Sequence, residues 1–144
     1  MSTIAKSFDG TASRKQINMH EFTIKPRVSE VNGASHISNT VFPVWLEESR
    51  VAFLQFTLKG NKFEYFLARM EQDYRNEIFL GSDVLIKTVA EKMGTSSLTI
   101  SQEVWQDDSF CAESKSVLVH INKEDNRPFP ISEKDRALLK LFLT

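Results

Sequence analysis

A chain of 144 residues and 16.5 kDa has the size of one domain and can bury a core without metals or disulfides. Its 41% hydrophobic and 26% charged residues are those of an ordinary soluble globular protein. A net charge of −1 excludes the basic field that nucleic acid or an anionic membrane would require, so neither is expected as a partner. The single cysteine, Cys111, excludes an internal disulfide and fits a reducing compartment, so the expected location is cytoplasmic. No apolar run approaches the ~18 residues of a membrane span.

Residues 1–16 are Ser/Thr-rich, mildly basic and without the apolar centre of a secretory signal. They read as a flexible tail, with an organelle transit segment the alternative, and 17–144 read as a single domain. From Ile17 to Ser29 the pattern alternates as in a half-buried strand, with Phe22, Ile24 and Val28 on one face. Pro26, lacking an N–H, belongs at an edge or bulge. Asn32-Gly33 marks a turn inside a loop from Val31 to Ser38.

Ser38, Asn39 and Thr40 are all good N-cap types, and Pro43 is harmless only in a first helical turn. The spacing therefore predicts a helix from Asn39 or Thr40 to about Leu58. Phe42, Trp45, Ser49, Ala52, Phe53 and Phe56 form one stripe, and Val44, Leu46, Val51 and Leu54 lie off it. A helix apolar on so many sides is expected to be buried. Gly60 offers its C-cap.

Four strands follow. The first carries Phe66, Ala68 and Met70; the second runs from Val84 to Glu91, with Val84, Ile86, Thr88 and Ala90 on one face. A hairpin turn over Lys92–Thr95 leads to Ser97–Gln106, and a turn at 106–109 leads to Phe110–Asn122. Ser132 is predicted to cap a short last helix, with Asp135 three residues on and an apolar face of Ala137, Leu138, Leu141 and Phe142. The order implies an α+β domain, one antiparallel sheet around one helix, whose open edges favour dimerisation.

Asn32, His36, Ser38 and Asn39 gather immediately before the long helix. A helix N-terminus presents unpaired N–H groups and partial positive charge, where anions and developing oxyanions settle. An imidazole suits proton transfer near neutral pH, and His36 brings one to this segment. Glu48 on the helix is a candidate carboxylate partner, and Glu30 lies two residues before Asn32. His20 and His120 fall in strand patterns and read as strand-face residues. Cys111 reads as buried and inert. No Cys/His spacing fits zinc and no Gly-rich loop fits a phosphate.

Four segments carry a resemblance. His36-Ile37-Ser38-Asn39 resembles an H-V-N-N segment, and Trp45 to Leu54 (WLEESRVAFL) resembles a Y-F-E-E-A-R-x-x-F-L helix. Lys92-Met93-Gly94-Thr95-Ser96-Ser97 is similar to a basic-x-G-x-S-S turn, and Arg127-Pro128-Phe129-Pro130-Ile131 to a closing R-P-x-P-I. In this order they resemble the hotdog-fold thioesterases of the 4-hydroxybenzoyl-CoA thioesterase type. The resemblance implies a hotdog fold, an antiparallel sheet wrapped around one long central helix. It also implies hydrolysis of an acyl-CoA or acyl-carrier-protein thioester in a homodimer or tetramer of dimers. No separate cofactor or metal is implied, since coenzyme A belongs to the substrate. Asn39, Thr40, Thr95, Ser96 and Ser97 are the substrate-binding positions it suggests. The family's pattern is D-x-x-G-H, whereas this chain has Asn32 for the Asp and Ser35 for the Gly. An amide is neither a general base nor a carboxylate nucleophile. The expected catalytic set is therefore Asn32, orienting water or the carbonyl, with His36 and Glu48. The abundant Phe favours a fatty or aromatic acyl group. The alternatives are a non-catalytic thioester-binding or assembly module, a carrier-protein thioesterase, or a dehydratase on the same scaffold.

Overall fold

The computed structural model of the protein describes residues 2–7 and 16–144. Among these residues, six strands form one antiparallel sheet: β1 (Ser2–Ser7), β2 (Gln16–Ile24), β3 (Tyr65–Tyr74), β4 (Val84–Met93), β5 (Ser97–Gln106) and β6 (Ser109–His120). Their order is β1-β2-β4-β5-β6-β3. β1 pairs with β2 in a segment where the sequence suggests a tail, and 8–15 lie outside the described residues.

The strand expected over 17–29 stops at Ile24. Pro26 follows with no N–H to give, and Val28–Glu30 turns as a 3-10 helix, leaving Val28 exposed rather than inward. A second 3-10 turn, Asn39–Val41, precedes helix α1 (Phe42–Thr57). Ser38 caps that turn through its Oγ, which accepts from the Thr40 N–H, so Asn39 and Thr40 are not the caps. Pro43 sits in the first turn of α1, where its missing N–H costs nothing.

One face of α1 is buried: Phe42, Trp45, Leu46, Ser49, Arg50, Phe53, Leu54 and Thr57. Leu46, Arg50 and Leu54 join the expected stripe, whereas Phe56 is half out of it. Val44, Glu47, Glu48 and Val51 face outward, so within one chain the helix is not enclosed on all sides. The sheet supplies the other wall in register. Phe22, Ile86, Val104, Ala112 and Tyr74 stand opposite one another across β2, β4, β5, β6 and β3. The next inward row, two residues along, is His20, Thr88, Gln102, Ser114 and Gln72. A polar belt thus crosses the inner face and separates two apolar clusters. One surrounds Phe42, Trp45 and Leu46; the other surrounds Phe53, Leu54 and Leu58. Gln102 Nε2 crosses the belt to donate to the Leu46 carbonyl (3.1 Å) and Thr88 Oγ1 (3.2 Å).

Helix α2 (Glu133–Lys140) is capped as expected, Ser132 Oγ accepting from the Asp135 N–H at 3.1 Å. Its buried face is Asp135 and Leu139, followed by Phe142, while Ala137 and Leu141 are exposed, contrary to the pattern. Phe142 meets Phe53 edge-on at 5.5 Å and so closes the C-terminal end of α1. One long helix in the hollow of an antiparallel sheet is the hotdog fold.

Candidate functional site

The loop before α1 is held by its own side chains. Asn32 Oδ1 accepts from the Ala34 N–H (2.9 Å) and the His36 N–H (3.2 Å), and the Asn32 N–H donates to the His36 carbonyl (2.7 Å). Ser35 takes a left-handed φ of 69° to complete this turn. The chain then pairs with the loop joining β3 to β4. The Ile37 N–H donates to the Ile78 carbonyl at 2.8 Å, His36 bridges to Phe79, and their rings meet edge-on at 5.2 Å.

That pairing brings two distant segments to one cleft of about 490 Å³ at the start of α1. Asn32, Ile37, Asn39 and Phe42 line it from the helix side; Tyr74, Arg75, Asn76 and Glu77 line it from the other. Tyr74 packs edge-on against Phe42 at 5.2 Å, so the cleft has an aromatic floor beneath amide and charged groups. Arg75 is ion-paired with Glu113, whose hydrogen bond and charge raise its already high pKa.

Within this chain the expected set is divided. Asn32 and Asn39 line the cleft, and His36 stands beside it. Thr40 lies one residue further, its Oγ1 2.8 Å from Ser38 Oγ. Glu48 does not reach it. It lines a separate cleft with Phe22, Ile24, Lys25, Val44 and Trp45, and Glu30 turns that way too, accepting from Trp45 Nε1 at 3.1 Å. The carboxylate beside His36 is instead Glu77, with Oε1 3.3 Å from His36 Nδ1.

Thr95, Ser96 and Ser97 sit at the β4–β5 turn. There the Thr95 carbonyl accepts from the Ile131 N–H and Arg136, and the Ser96 carbonyl accepts from the His120 N–H. Ile131 belongs to the cluster around Phe53 and Leu58, so this turn lies with the C-terminal half of α1, away from the cleft in the same chain. Cys111 is buried and burial pushes its thiol pKa up, the setting of an unreactive thiol. Among the described residues no group of three or more His, Cys, Asp or Glu could hold a metal ion, and no helix is long and apolar enough to cross a membrane.

Comparison with known proteins bears on the fold and the family. Residues 26–139 match the family model described as the thioesterase-like superfamily. A predicted thioesterase from Bacillus stearothermophilus is 37% identical with a TM-score of 0.81, over 88% of this chain and 97% of that one. A thioesterase from Thermus thermophilus, solved with coenzyme A and Zn, is 26% identical with a TM-score of 0.75, over 85% and 92%. A 1,4-dihydroxy-2-naphthoyl-CoA thioesterase from Synechocystis shares the fold at 14% identity and a TM-score of 0.71, over 85% and 96%. No curated protein sequence matches significantly.

Proposed function

The chain belongs to the thioesterase-like superfamily, and from that premise we propose that it hydrolyses an acyl-CoA thioester at the cleft where α1 begins. The observation that carries the reading is the convergence of Asn32, Asn39 and the first turn of α1 on one cleft, with His36 beside it. A thioester carbonyl laid there would develop its oxyanion at the positive end of the helix. Asn32 Oδ1 is engaged by two backbone N–H groups, which leaves its amide nitrogen as the end able to donate to a carbonyl or hold a water. The coenzyme A complex of the Thermus relative supports a coenzyme A ester as substrate. Phe42 and Tyr74 on the cleft floor favour a fatty or aromatic acyl group over a short polar one. The 4-hydroxybenzoyl type is the functional analogy that the motifs suggest, with no cofactor beyond the coenzyme of the substrate.

The free edge of β3 favours a homodimer, or a tetramer of dimers, as the working form. Among the described residues β3 pairs only with β6, and it exposes Phe66, Leu67 and Tyr74. A partner chain across that edge would bring its own residues toward the cleft, which is where Thr95, Ser96 and Ser97 would serve the substrate. The charge and single cysteine fit a cytoplasmic protein.

One observation favours a second reading. The same Asn32 hydrogen bonds that fix its amide also give it a purely structural role, which suits a module that binds acyl thioesters without cleaving them. Thiol release from acetyl- to palmitoyl-CoA and benzoyl-type esters, beside acyl-carrier-protein thioesters, separates the two. Release that exceeds the spontaneous rate supports hydrolysis. Saturable binding without release supports the module.

A further inference from the structure

Resting on the hydrolysis proposed above, we infer that Glu77 is the general base of this site and supplies the carboxylate that position 32 lacks. Of the eight residues lining the cleft, Glu77 alone carries a carboxylate. Asn32 and Glu77 are on the same cleft although forty-five positions separate them in sequence. His36 Nδ1 stands 3.3 Å from Glu77 Oε1, and Glu77 is the member of that pair that lines the cleft. His36 is thus the positioning residue and Glu77 the group that meets water.

The loop that carries Glu77 is fastened on both sides. The Arg75 and Asn76 N–H groups donate to the Cys111 carbonyl (2.8 and 3.2 Å), and Asn76 Nδ2 to the Phe110 carbonyl (2.8 Å). Gln106 clamps Phe79, its Oε1 accepting from the backbone N–H at 3.0 Å and its Nε2 donating to the carbonyl at 2.7 Å. With Ile78 bonded to Ile37, residues 75–79 are tied to the adjoining ends of β5 and β6 and to the segment before α1. The backbone beneath the carboxylate is thereby fixed, and His36 is the side chain beside it.

The step balances with water alone. Glu77 takes one proton from a water held by Asn32 as the water oxygen bonds to the thioester carbon. The carbonyl electron pair moves to oxygen at the first turn of α1. On collapse the carbon–sulfur bond breaks, and the departing thiolate takes the proton back from the Glu77 carboxyl. A carboxylic acid and a thiol leave, and Glu77 returns to its starting form.

The test uses the full chain and the acyl-CoA it cleaves best, with kcat and KM measured for the native protein, Glu77→Gln and Glu77→Ala. General base removal predicts a kcat lower by about 10²–10⁴-fold, with KM and melting temperature little moved because the side chain is exposed. Formate, a small carboxylate, is expected to restore part of the Glu77→Ala rate, and Asn32→Asp to restore part of the Glu77→Gln rate. If the native protein cleaves thioesters and both Glu77 variants keep kcat within about 3-fold, this assignment falls and hydrolysis stands. Loss of activity with neither rescue makes Glu77 structural and also overturns it. A native protein that cleaves no thioester removes both readings together.

Discussion

The imidazole of His20 packs edge-on against Phe53, with ring centroids 5.9 Å apart and planes at 68°. Phe56 covers it at 5.5 Å, and neither ring nitrogen finds a hydrogen-bond partner among the described residues. Burial lowers its pKa from 6.5 to about 4, so it is neutral in the fold. The unfolded chain takes up the proton near pH 6.5 and the folded chain only near 4. Between those values the unfolded state holds more protons, and stability falls as pH falls. The loss should approach about 3 kcal/mol by the acid end of that window, and be absent above 6.5. Urea unfolding of the native protein and His20→Leu, compared above pH 6.5 and near pH 4, should show the variant's advantage growing on acidification. A constant gap would mean that His20 takes up its proton in the fold as readily as in the unfolded chain.

Arg50 lies in the same interior with only 3% of its surface exposed, and its Nε and one terminal nitrogen have no partner among the described residues. A guanidinium stripped of water and unpaired costs more than its alkyl stem returns. Arg50→Met keeps the stem and removes the charge, and should raise unfolding stability of the chain by about 1–4 kcal/mol. A destabilised Arg50→Met would mean that the guanidinium is paired or packed in the fold to net advantage.

The general architecture was legible in the sequence because it rests on periodicity. Val84, Ile86, Thr88 and Ala90 alternate, and so they line one face of β4. Arg50 and Gln102 broke that logic, since nothing in their neighbours announces a buried polar belt between two apolar clusters. The segment before α1 could be found, because Asn-Gly, a His and three cap-type residues seldom fall together beside a Pro-initiated helix. Its carboxylate could not. Glu77 reaches His36 only through backbone pairing between loops forty-one residues apart in sequence, and an acidic residue in a loop carries no spacing signal. Glu48 was the natural sequence candidate, being on the helix itself, but helical geometry turns it to the outer face toward β2.

Ser35 stands at the glycine of the D-x-x-G-H pattern, and its φ of 69° lies in the left-handed region that glycine enters without a Cβ penalty. Ser35→Gly should be tolerated and add up to about 1 kcal/mol of stability. A β-branched side chain is strained in the left-handed region, so Ser35→Val should lose about 1–2 kcal/mol. Chemical unfolding of both variants tests the order. Valine as stable as glycine would mean that the turn is not left-handed.

Asn32 binds the same turn together through Oδ1. Asn32→Asp keeps an acceptor for the Ala34 and His36 N–H groups, and should leave stability within about 0.5 kcal/mol of native. Asn32→Ala removes both bonds and should cost about 1–2 kcal/mol. Amide hydrogen exchange at Ala34 and His36 is the local measurement: it should accelerate in the alanine variant and stay slow in the aspartate one. Equal acceleration in both would mean that the amide nitrogen, not its oxygen, holds the loop.

The exposed edge of β3 provides the last test. A strand of ten residues whose outer flank is unpaired among the described residues, with exposed Phe66, Leu67 and Tyr74, is a template for pairing. Two copies joined across it by a two-fold axis would satisfy its free backbone groups and cover those side chains. Leu67→Lys puts a charge into apolar surface that such a pairing would bury, and the symmetry puts a second charge into the same interface. Light scattering should find the native protein at twice the mass of one chain or a multiple of it, and Leu67→Lys shifted toward the single chain. The variant should also lose thiol-release activity as it dissociates, if residues such as Thr95, Ser96 and Ser97 serve the partner's cleft. Activity retained by a clean monomer would confine the whole site to one chain.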